Sequence, residues 1–76
     1  MSNATKLNFD QISALGKKIG NAIARDVLAS DIPRTWTGLD AQDGDQLTAA
    51  GITPDSPEWE QAETAARDAF LVAVGR

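Results

Sequence analysis

Between Phe9 and about Ala29 the apolar residues recur every three or four positions: Phe9, Ile12, Leu15, Ile19, Ile23 and Val27. At about 100° per residue they share one face of a helix, while Lys17, Lys18, Asn21 and Arg25 take the other. The start is marked as well. Asn8 can cap this helix with Gln11 three residues on, and Leu7 and Ile12 are spaced as a hydrophobic staple. Pro33 stops any continuation, because the residue before a proline is pushed toward extended geometry.

Two further helices follow from punctuation. A short one, about 41–50, starts near Asp40 or Asp43 and ends at Gly51, with Leu47 and Ile52 as the hydrophobic pair of a Schellman motif. A longer one, about 57–74, opens with Ser56 as cap and Pro57 in the first helical position, and carries Glu58 and Glu60 where the helix dipole favours acids. It stops at Gly75. Its inward face is small: Trp59, Ala62, Ala66, Ala69, Phe70 and Ala73. No strand pattern occurs. The expected fold is therefore all-α, a single three-helix domain over 7–76 with two long, roughly antiparallel helices and the middle segment closing one end. Residues 1–6 are polar and read as a disordered or tag-like terminus, Ser2-Asn3-Ala4 resembling a cloning scar.

Gly16, Gly20 and Ala24 form a ridge of small residues beside the isoleucine stripe. Such a ridge dimerises helices in lipid, but Lys17 and Lys18 lie between these glycines, so close internal packing on the third helix's alanines is the reading preferred. Leu28, Leu71 and Val74 point away from the main stripes. They either contact the middle segment near Trp36 and Leu47 or make a homo-oligomer interface. Asp26 falls inside the apolar stripe, where pairing with Arg34 or Arg67 would account for it.

Composition excludes much chemistry. The 76 residues contain no cysteine, histidine or tyrosine, which removes thiolate and imidazole metal ligands and the usual base near neutral pH. Asp40, Asp43 and Asp45 surround Gly44 as in a calcium loop, yet with Gly44 at the sixth position the first and twelfth are Leu39 and Ala50, which cannot ligate. There is no glycine-rich phosphate loop. Neither a metal nor a cofactor is expected, and no enzymatic activity. No apolar run reaches membrane-spanning length, which makes the expected location cytoplasmic.

Charge is uneven. Residues 35–66 hold seven acids (Asp40, Asp43, Asp45, Asp55, Glu58, Glu60 and Glu63) and no Lys or Arg. Residues 1–34 sum to +2 and 35–76 to −6. The short helix, turn and longer helix have the outline of a helix-turn-helix, but a reading helix that begins with acids repels phosphate, so direct nucleic-acid binding is not expected. A surface of this kind either is simply solvated or docks a protein with a basic surface, one that itself grips nucleic acid included. Trp36 at its edge is either an aromatic anchor for that partner or a core plug.

The stretch from Trp36 to Ile52, WTGLDAQDGDQLTAAGI, resembles segments in small proteins of phage and prophage genomes. The resemblance covers about a fifth of the chain and carries over no functional residue. It implies an accessory protein, such as an inhibitor that blocks a host component, anti-CRISPR and other anti-defence proteins among them. The expected function is thus a non-enzymatic protein-binding module. The alternative is a structural homo-oligomer held by Leu28, Leu71 and Val74.

Overall fold

The computed structural model describes residues 7–31 and 33–75, and the reading of 1–6 lies outside them. Among the described residues there are three helices: α1 (Phe9–Ser30), α2 (Ala41–Ala49) and α3 (Pro57–Val74). Each starts where its cap predicts. Asn8 Oδ1 accepts from the Gln11 N–H at 2.8 Å and the Gln11 side chain accepts from the Asn8 N–H at 2.9 Å, a complete capping box. Leu7 packs on the cluster containing Ile12, as a staple should. Ser56 caps α3 through the Trp59 N–H at 3.1 Å, with Pro57 behind it.

The helix ends differ from one another. At α2 the Ile52 N–H bonds the Leu47 carbonyl and the Gly51 N–H bonds that of Thr48, both at 3.0 Å, and Gly51 is left-handed at φ 91°. That is the Schellman motif, with Leu47 and Ile52 both buried in one cluster. α1 instead ends on Asp31, a non-glycine in the left-handed region at φ 57°, whose N–H bonds the Val27 carbonyl. An aspartate tolerates this conformation better than most side chains.

The direction of the long helices differs from expectation. Gly16 faces Ala62 and Ala65, and Gly20 faces Ala66. Ala24 clusters with Phe70 and Val74, while Gln61 near the start of α3 donates to the Phe9 carbonyl at 2.9 Å and to Ser13 Oγ at 3.0 Å. Residue numbers rise together on both helices, so α1 and α3 run parallel. The physical reason is the connection. α2 does not close one end of a hairpin; it is the return leg, carrying the chain from beside Ala24 and Phe70 at Trp36 back to Ile12 at Ile52. In an up-down-up bundle the first and third helices must be parallel, since only directly connected neighbours alternate.

The glycine ridge is an internal seam. A Cβ at Gly16 would run into the Ala62 carbonyl oxygen, and one at Gly20 into that of Ala66. On the α2 side of this seam Ile12, Ile19, Leu47, Ile52, Ala62 and Ala66 form one buried cluster; Ala24, Phe70 and Val74 form a second. Trp36 bridges them, half-buried, with its ring 5.4 Å from that of Phe70 at 56°.

Two further expectations are corrected. Val74 is 7% exposed, inside the second cluster against Trp36, so it cannot form a surface. Leu28 and Leu71 are exposed, at 46% and 47%. Phe9, in the sequence stripe, is 68% exposed.

Candidate partner-binding surface

The seven acids of the middle segment do not share one face. At the head of α2, Asp40 caps the helix by accepting from the Asp43 N–H at 2.9 Å, and Asp43 turns back toward the Asp40 N–H at 3.4 Å. Asp43 is consequently buried, 9% exposed, and is removed from the expected docking face. Its carboxyl is pushed above the usual carboxylate range, first by burial and then by the nearby charges of Asp40 and Asp26, against the lowering effect of the Asp40 N–H.

Asp26 therefore lies near the head of α2, facing other acids. It is exposed, and neither Arg34 nor Arg67 pairs with it. Among the described residues the ion pair present is Arg67–Asp68 at 3.7 Å, between exposed side chains where it contributes little. Among the described residues no three acids are placed to hold a metal ion.

The start of α3 gathers the rest. Glu60 and the half-buried Glu63 line two adjoining notches. One, of about 330 Å³, has Asp55 on its rim and the half-buried Trp59 as its wall. The other, of about 220 Å³, is walled by Trp36 and edged by Thr64 and Arg67. Spacing explains the arrangement: positions 60, 63, 64 and 67 are i, i+3, i+4 and i+7 on one helical strip. The extended segment before α2 crosses this strip, Gly38 lying close to Glu63. With its φ of 94°, Gly38 allows the chain to make that crossing.

Asp45 and Glu58 stand apart. Asp45 is exposed on α2, and Glu58 lines a separate hollow of about 230 Å³ with Leu7, Ile12 and Ile52. So Asp55, Glu60, Glu63 and Trp36 come together, and Asp40, Asp43, Asp45 and Glu58 do not join them. The sequence reading placed Trp59 only on the core face. Its ring rests against Gly44, a Cβ there lying 3.3 Å from it, and also reaches the notch. The glycine opposite it was the signal for such an overhang.

No protein-family model matches this chain, and neither a curated protein nor a solved structure matches it. Function must be argued from the surface itself. Among the described residues no helix is long and apolar enough to cross a membrane.

Proposed function

We propose that this chain is a non-enzymatic protein-binding module, an accessory or inhibitor protein of the phage type acting in the cytoplasm, that docks a basic partner through the first half of α3. One observation carries the reading: Glu60 and Glu63 sit between the half-buried indoles of Trp36 and Trp59, with Asp55 at the rim. Carboxylates beside aromatic walls suit Arg and Lys side chains, which gain both charge pairing and contact with a ring face.

The test is capture of a partner from host lysate by the wild type and by the triple variant Asp55→Lys, Glu60→Lys, Glu63→Lys. The expected outcome is a basic protein retained by the wild type, weakened about tenfold or more by the reversal and released as salt rises. Capture unaffected by the triple reversal would rule the surface out. Reversal of Asp45, which stands outside the notches, is the control and leaves capture unchanged.

A further inference from the structure

α2 covers only one side of the α1–α3 seam. On the opposite side the two helices leave an open groove of about 610 Å³ with an alanine floor that includes Ala14, Ala65 and Ala69. Charged edges border it, Asp10 and Lys17 from α1 and Asp68 from α3. The adjoining hollow on α1 adds Lys18 and Arg25. Two acids and three bases thus line this side of a protein whose net charge is −4. Of the exposed large apolar residues, Val72 lines the groove at 63% exposure. Phe9 stands beyond one end of it, and Leu28, seven residues past Asn21 and so on the same strip of α1, stands toward the other.

We propose that this groove seats a second copy of the chain in an antiparallel, two-fold pairing. A two-fold interface must be complementary to itself, and the antiparallel arrangement satisfies that at each level. It sets the Phe9 end of one copy against the Leu28 end of the other, brings Asp10 toward Arg25, and aims Lys17 at Asp68. Parallel α1 and α3 also add their dipoles within one copy, and the antiparallel second copy opposes them. The area suffices. A face about 27 Å long, from α3's helical rise, and about 20 Å wide, from two helix diameters, buries roughly 500 Å² per copy. The total of about 1,000 Å² is the lower bound for a specific interface, where weak association is expected.

Sedimentation velocity from about 1 to about 300 µM spans the expected association. The wild type should pass from monomer to dimer across that range. Val72→Glu should hold it monomeric at every concentration, with an unchanged melting temperature because the side chain is already exposed. Lys17→Glu should weaken association about tenfold or more, and adding Asp68→Lys should restore it. A wild type that stays monomeric throughout overturns the proposal. So does a dimer indifferent to Val72→Glu, or one that the second charge reversal fails to rescue. The Asp55, Glu60 and Glu63 reversals lie on the other side of α3 and leave this dimer intact, so the docking surface and the pairing fail or stand separately.

Discussion

The two interfaces that build this bundle are made by opposite means. Along the α1–α3 seam the contact is backbone against backbone: Gly16 and Gly20 remove their side chains so that the Ala62 and Ala66 carbonyls can enter. Between that pair and α2 the contact is made by inserted side chains, Leu47 and Ile52 from the return leg and Trp36 from the segment before it. A seam of small residues is rigid in one sense: it has no rotamers with which to absorb an added atom. An interface of Leu, Ile and Trp has rotamers and can redistribute volume, but it loses much when a side chain is cut back.

This contrast sets the largest effect expected. Leu47 is fully buried and is the one large side chain that α2 itself contributes to the core. Leu47→Ala should cost about 2–5 kcal/mol and lower the melting temperature by about 10 °C or more. Leu47→Met keeps the volume and should cost under about 1.5 kcal/mol. Equal losses from both variants in thermal or urea unfolding would show that α2 is not seated by this plug.

The seam predicts a reversal of ordinary helix propensity. Alanine is favoured over glycine within a helix by about 1 kcal/mol. Gly20→Ala should nonetheless destabilise by about 1–3 kcal/mol, since its Cβ meets the Ala66 backbone, 2.8 Å from Cα, where nothing can rotate away. Gly44→Ala meets only the Trp59 ring at 3.3 Å and should be neutral or gain up to about 1 kcal/mol. Measured side by side, the two variants should differ in sign; the same sign in both would dissolve the distinction between seam and plug.

The division also explains which parts were legible in the sequence. Helix extents were, because caps and stops are local chemistry: Asn8 with Gln11, Ser56 with Pro57, Leu47 with Gly51 and Ile52. The seam was legible too, since lysines between Gly16 and Gly20 argue against a lipid-type dimer. Helix direction was not. It depends on whether the middle helix returns along the pair or caps its end, and no residue of α2 states that locally. Val74 followed from the same gap, because a parallel α3 is what brings it into one cluster with Ala24 and Phe70, under Trp36. At the candidate surface the acids were visible as a run, but a run in sequence is spread over a helix head, a turn and a helix strip. Asp43 illustrates the cost of reading composition as surface: its spacing from Asp40 made it a capping residue, a role that turns it inward.

Asp43 supplies the smallest effect and the one most specific to α2. Its folded pKa is raised, with burial the first cause and the charges of Asp40 and Asp26 adding to it. A carboxyl that is harder to ionise in the folded state than in the unfolded one opposes folding at neutral pH. That opposition is relieved as pH falls through the raised folded value, and it is gone below the unfolded value of about 3.9. Asp43→Asn keeps an oxygen for the Asp40 N–H and removes the charge. It should therefore be at least as stable as the wild type at pH 7, with the difference shrinking toward pH 4 as the wild type takes up its proton. Stability measured by urea unfolding at both pH values reads this directly. An Asn variant less stable at pH 7, with a deficit that closes on acidification, would mean that the ionised Asp43 stabilises the head of α2 through the helix dipole more than burial opposes it. The plug would then be held by charge at its start as well as by Leu47 along its length.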